Sequence, residues 1–345
     1  MKPEILGGAE KPASRSFIPL AALCPLLLLA AILLGVADLP VGEVVDVLLG
    51  GGSENAQLII GTIRIPRILT GILAGIHFAV AGALLQTVTR NPLADPTVMG
   101  ISQGATLAIT VFLFFAVYGV NADANTLYAL PVAWLPLVGA LGGLVAGALI
   151  YGLAVSRGLS ALRMTLCGIA IGALLHALAM GIIVGWGSAR FEIIMQWLAG
   201  SLYARGWEHV VFLLPFTIAG LLVLPFLHRS LALLRFEEDV SRSFGLNYRL
   251  NFTLVLVVAC GLAASAVGVV GPLIFVGLVV PHLAKVLAGR HFAAVLPLTA
   301  LLGATLVMGA DLAGRLLGGA EEIPIGVVTA FAGAPFLLFL LRRYR

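Results

Sequence analysis

Residues 64–102 read RIPRILTGILAGIHFAVAGALLQTVTRNPLADPTVMGIS. Between Arg67 and Arg90 this stretch holds no Asp, Glu, Lys or Arg. An uncharged run of that length meets the ~20 apolar residues a helix needs to cross a bilayer. Gly71 and Gly75 stand four apart on it. Small residues at that spacing form a flat stripe, and in lipid such stripes let van der Waals packing replace the hydrophobic effect. The run ends at Asn91-Pro92-Leu93-Ala94-Asp95-Pro96-Thr97. Two prolines four apart stop one helix and start the next. The plain reading of this loop is a rigid turn; the functional one is a fixed elbow beside a gate or a partner.

The same pattern repeats outward in both directions. Apolar runs occupy 17–36, 66–89, 97–117, 131–155, 164–186, 209–227, 250–269, 271–289, 294–313 and 324–341. The fold class is therefore an all-α polytopic membrane protein of ten transmembrane helices. Residues 1–16 read as a cytoplasmic tail and 17–345 as one transmembrane domain. Composition agrees: 61% of the 345 residues are apolar and 10% charged, against ~25% charged in an ordinary soluble domain. Mean hydropathy is +1.10. A soluble fold could not hide that much apolar surface. This excludes a cytosolic enzyme, a secreted disulfide scaffold and a disordered chain, and argues against nucleic-acid binding. The first run is long, Leu-rich and without a small-x-small exit, unlike a cleaved signal peptide.

Lys and Arg set the orientation. With the N-terminus inside, fifteen of the twenty basic residues fall on the cytoplasmic side. The outer five are Arg64, Arg67, Arg190, Arg205 and Arg315. Both termini are then cytoplasmic. Further glycine stripes, Gly139–Gly143–Gly147, Gly168–Gly172 and Gly181–Gly185, predict close helix packing. Cys24, Cys167 and Cys260 lie in apolar runs without metal-ligand spacing and read as small apolar residues.

Three polar features stand out. Outside, Arg64 and Arg67 flank Pro66, which is expected to open the second span; Arg315 ends the ninth. The plain reading is flank snorkelling. The alternative is a docking point for acidic side chains, which Arg grips bidentately. Asp311, one turn before Arg315, is a candidate internal partner. Inside, Glu237, Glu238 and Asp239 would open a short helix over about 236–246, with Arg242 later, Gly245 as a left-handed cap, and Val240 and Phe244 on one face. It is either a solvated loop or a handle for a partner. His77 and His176 lie within spans, where ionisable groups are functional candidates by default. A histidine hydrogen-bonded to a neighbouring helix is the plainer reading, and His176 continues the Gly168–Gly172 stripe towards a pathway. No GxxxxGK[ST] occurs, so any ATP that drives this chain would be bound by another subunit.

Together these motifs resemble the permease subunits of FecCD-type, or type II, ABC importers for iron–siderophore, haem and cobalamin. The matching pieces are RIPR at 64–67, GALLQ at 82–86, NPLADPTVMGIS at 91–102, WLAGS at 197–201, GPLIFVGLVVPH at 271–282 and EIPIGVVTAFAGAP at 322–335. The resemblance implies a type II importer fold in the bacterial inner membrane. It implies a second permease subunit, a cytoplasmic ATPase dimer that carries ATP and Mg, and a periplasmic or lipid-anchored substrate-binding protein. It places Arg64, Arg67 and Arg315 at the docking site of that binding protein. It makes 236–246 the coupling helix seated in the ATPase, and Ser160, Ala161 and Leu162, where relatives narrow the pathway, gate candidates. The expected function is passage of a ferric siderophore, with haem or cobalamin as the alternative. No catalytic residue, metal site or cofactor of its own is expected. An ion-coupled secondary transporter is the remote alternative, disfavoured because no carboxylate lies mid-span.

Overall fold

The computed structural model describes residues 14–35, 37, 39–119, 132–156, 160–185, 197–289 and 292–343, and the regular structure among them is helical. The tail to residue 13 and Arg190 lie outside the described residues. Twelve helices follow in order: α1 Ser14–Leu33, α2 Val41–Leu48, α3 Glu54–Thr89, α4 Ile101–Gly119, α5 Leu135–Val155 and α6 Ala161–Gly185, then α7 Trp207–Leu233, α8 Glu238–Ser243, α9 Tyr248–Val270, α10 Val276–Ala288, α11 Phe292–Gly318 and α12 Ile325–Arg343. Setting aside short α2 and α8, these are the ten predicted spans. Six are long and apolar enough to cross a membrane, and α1, α4, α10 and α12 contribute shorter apolar segments.

α3 is the hub, packed against α7, α9, α10 and α11. In its most apolar stretch 78% of residues are buried, against 22% in α6, so α6 lies at the periphery of the subunit. The glycine stripes explain how α3 gets so close. A β-carbon on Gly75 would lie 2.3 Å from the Gly303 carbonyl oxygen, and one on Gly82 would lie 1.9 Å from that of Gly277. Gly139, Gly143 and Gly147 serve α5 in the same way against α9, and Gly168 and Gly172 serve α6 against the loop before α4. Gly181 and Gly185 do not: no atom of the described residues lies within 4 Å of a β-carbon there.

Three boundaries depart from expectation. Pro66 does not open its helix. The helix already runs from Glu54, through a π-helical turn at Leu58–Arg64. That widened turn, in which the Ile65 N–H reaches back to the Ile60 carbonyl, carries the chain into a proline without a break. Pro96 does not start α4 directly either: α3 ends on Arg90 in the left-handed conformation (φ 51°), and turns fill the chain to Gly100. The eighth span is a half-helix. Residues 271–275 are irregular, Phe275 has φ 71°, and α10 has 13 residues, about 20 Å at 1.5 Å per residue.

Candidate functional site

The two candidate surfaces lie at opposite ends of α3. Arg67 stands near one end and Arg90 just past the other, about 35 Å apart along the helix. Arg90 Nη1 donates to the Phe236 carbonyl, 3.3 Å away, beside α8.

At the first end Arg64, Arg67 and Arg315 converge, and all are held within the chain. Arg64 is 4% exposed. Its guanidinium donates to the carbonyls of Ile32 (2.6 Å), Leu33 (3.2 Å) and Ala37. Arg315 is 5% exposed and donates to the Leu34 carbonyl at 3.3 Å. The last carbonyls of a helix have no partner within it, and cations are favoured there. Two arginines thus fasten the end of α1. Arg67 makes a double fork: Nε and Nη2 meet Asp311 Oδ1 at 3.0 and 2.7 Å, and Nη1 and Nη2 meet the Glu322 oxygens at 2.8 and 2.9 Å. The expected contact of Asp311 with Arg315 is present, at 3.1 Å. Plain flank snorkelling therefore does not describe these side chains. Sequence reasoning missed Glu322, which carries no local pairing signal, and the Arg67–Asp311 pair.

At the second end the expected short helix is present and shorter than 236–246. α8 spans Glu238–Ser243, with Glu237 before it and Phe244 after it as caps. Glu238 and Asp239 lie in its first turn, favoured by the helix dipole. Glu238 pairs with Arg242 at 2.5 Å. Gly245 has φ 78°, and its N–H donates to the Arg242 carbonyl at 2.8 Å, the left-handed cap the sequence called for. Ser241 is fully buried, with its hydroxyl 2.9 Å from the carbonyls of Leu233 and Glu237. This seats the helix, while Phe236, Val240 and Phe244 remain exposed. The segment is a capped helix rather than an irregular loop, with large apolar side chains exposed on it (Val240) and beside it (Phe236, Phe244).

The loop before α4 turns inward. Asp95 is 2% exposed. One carboxylate oxygen accepts from the Thr97 N–H at 2.8 Å and from the Thr97 hydroxyl. The other, Oδ2, meets no donor among the described residues. Burial raises the Asp95 pKa above its ordinary 3.8, against the pull of the two Thr97 bonds. Beside it Gln86 spans a gap: Nε2 lies 3.1 Å from the Leu278 carbonyl and 3.3 Å from that of Gly277, and its Oε1 accepts from Lys285 Nζ at 2.7 Å.

The gate candidates stand at the start of α6. Ser160 is half-buried and its carbonyl accepts the Met164 N–H at 2.9 Å; Ala161 is buried and Leu162 is 68% exposed. His176 is exposed: contact along this helix passes from Gly172 to Ala179 and leaves it out. His77 does take the hydrogen-bonded form, fully buried between the Ser265 hydroxyl (3.0 Å, on α9) and the Thr217 hydroxyl (2.7 Å, on α7). No group of three metal-ligating side chains occurs among the described residues. An apolar cleft of about 480 Å³ opens beside the first half of α12, lined by Leu198, Pro272, Ile274, Val327 and Phe331 among others.

The model of the FecCD transport family matches residues 23–343. The Bacillus subtilis probable siderophore transport system permease protein YfhA is 33% identical, over 98% of this chain and 97% of its own length. The cobalamin import system permease protein BtuC of Halobacterium salinarum is 34% identical, over 85% of this chain and 75% of its own. A solved inward-facing structure of a metal-chelate type ABC transporter superposes with a TM-score of 0.81 at 28% identity, covering 96% of this chain and 99% of that one.

Proposed function

The chain belongs to the FecCD transport family, and from that premise we propose that it is the membrane-spanning permease subunit of an ATP-driven importer of a ferric siderophore. The observation that carries this reading is the near full-length match to a siderophore permease, on a backbone that superposes with a metal-chelate transporter. The chain would supply the pathway. ATP and Mg would be held by a partner ATPase dimer, and a second permease subunit would close the pathway.

Two features of the geometry support this reading of the partners. The exposed Phe236, Val240 and Phe244 offer an apolar anchor to the ATPase, set on a helix whose cap and buried Ser241 resist deformation. The arginine cluster at the other end would face an extracytoplasmic binding protein, with acidic side chains as the contacting groups. α3 connects the two ends as one packed element, so a push at the α8 end travels through a rigid body. The apolar cleft along α12 suits a conduit that binds its cargo weakly enough to release it.

Uptake of a radiolabelled ferric siderophore into proteoliposomes holding the full transporter tests this. Transport is expected only with enclosed ATP and the binding protein. Transport driven by a proton or sodium gradient without ATP would overturn it. The cobalamin relative supports a second reading, with cobalamin as cargo; radiolabelled cobalamin, and not the ferric siderophore, would then be taken up.

A further inference from the structure

We infer that Glu322 is an internal placeholder on Arg67, exchanged for an acidic side chain of the binding protein on docking, and that this exchange unfastens one end of α12. The inference rests on the docking reading above and adds to it a mechanism and a residue.

Docking through these arginines meets an obstacle in the structure. The Arg67 side chain is 11% exposed and both edges of its fork are filled. An incoming carboxylate reaches it only by replacing an occupant. The two occupants are not equivalent. Asp311 is fixed on α11, its side chain 4% exposed, and its second oxygen is engaged by Arg315. Glu322 lies in the connection between a single 3-10 turn and α12, with its side chain 17% exposed. Both of its oxygens point at Arg67.

The backbone gives a second, independent reason. Glu322 has φ 33° and ψ 123°, on the side of the map where a β-carbon is crowded. Such a conformation persists when surrounding contacts hold it, and the Arg67 fork is the strongest contact this side chain makes. Loss of that contact lets the backbone relax. α12 begins three residues later. The backbone ties that remain there are the Ile323 N–H on the Gly314 carbonyl (3.1 Å), in the connection, and the Gly326 N–H on that of Gly200 (3.4 Å), in the first turn. Gly326, Val327 and Phe331 on those turns line the apolar cleft. A carboxylate exchange at Arg67 is thereby linked to the wall of the apolar cleft.

The test uses the full transporter in nanodiscs and the binding protein that co-purifies with it. Docking affinity is measured for the parent, Glu322→Gln, Glu322→Gly and Arg67→Gln. Glu322→Gly also removes the backbone strain, so it guards against a folding defect in Glu322→Gln. A spin label at Val327→Cys, with Cys24, Cys167 and Cys260 replaced, reports on α12. Both Glu322 variants are expected to dock three- to tenfold more tightly than the parent. Their label should show, without the binding protein, the mobility the parent shows only when docked. Unchanged or weaker docking in both, with Arg67→Gln weakened at least tenfold, overturns the placeholder and leaves docking standing. Parent-like docking by Arg67→Gln overturns the docking reading, and the placeholder with it.

Discussion

The side-chain amide of Gln86 serves Gly277 where Pro281 cannot. In α10 the Gly277 carbonyl would accept the N–H of the residue four later, and that residue is Pro281, which has none. Gln86 on α3 brings Nε2 to 3.3 Å from that carbonyl and 3.1 Å from the next. It then accepts from Lys285, about two turns further along α10. A half-helix with a proline in its middle is thus completed from a neighbouring span, and Gly82 permits the approach by lacking a β-carbon.

Gln86→Leu should therefore destabilise the subunit by about 1–3 kcal/mol, the cost of a buried acceptor left unpaired. Gln86→Glu should also destabilise it: the contact with Lys285 survives, but the donor to Gly277 is lost. Thermal unfolding of the purified subunit in detergent measures both. Parent-like unfolding of Gln86→Leu would show that Gly277 is satisfied without it.

At the other surface the cap of α8 is the point to break. Gly245 needs φ 78° and donates its N–H; proline fixes φ near −65° and has no N–H. Gly245→Pro should abolish stimulation of the ATPase while membrane insertion persists. Gly245→Ala is the control. No atom lies within 4 Å of its added β-carbon, so it meets only the left-handed penalty of about 1–2 kcal/mol and should couple nearly normally. Full ATP-driven uptake by Gly245→Pro would remove α8 from the coupling path.

The local features of this chain were legible and the distant ones were not. Ten apolar runs became ten helices because lipid demands uncharged spans, and that demand is written in composition. Gly245, Glu238 and the Asp311–Arg315 pair follow from contacts within one turn. Arg67 meets Asp311 and Glu322 across 244 and 255 residues, and no spacing rule reaches that far. The helix upstream of Pro66 was hidden because a π turn absorbs the proline. His176 does not share the buried face of Gly168 and Gly172 because a four-residue stripe drifts around a 3.6-residue helix, so His176 has turned off that face, which continues at Ala179.

The expected sidedness rests on the basic residues, fifteen against five. Ser53 and Ser243 are both exposed, the first just before α3 and the second on α8. Ser53→Cys should react with an impermeant maleimide on intact spheroplasts, and Ser243→Cys only after permeabilisation. The opposite pattern would invert every assignment of partners to ends.

Asp95 gives a pH dependence with a definite sign. Its Oδ2 is buried without a donor and burial raises its pKa above 3.8. A carboxyl whose folded pKa is raised binds its proton more tightly in the folded state. Its contribution to stability is full below about pH 4 and is lost as pH rises through the folded value. Asp95→Asn keeps an oxygen for the Thr97 N–H and cannot ionise. The unfolding temperature of Asp95→Asn relative to the parent should therefore climb as pH rises above about 4, and level off once pH exceeds the folded value. Once the carboxyl ionises, the variant should equal or exceed the parent in stability, since it buries no charge. A relative unfolding temperature that falls with rising pH would mean that the ionised carboxylate is the stabilised form, and that Oδ2 has a donor in the assembled transporter.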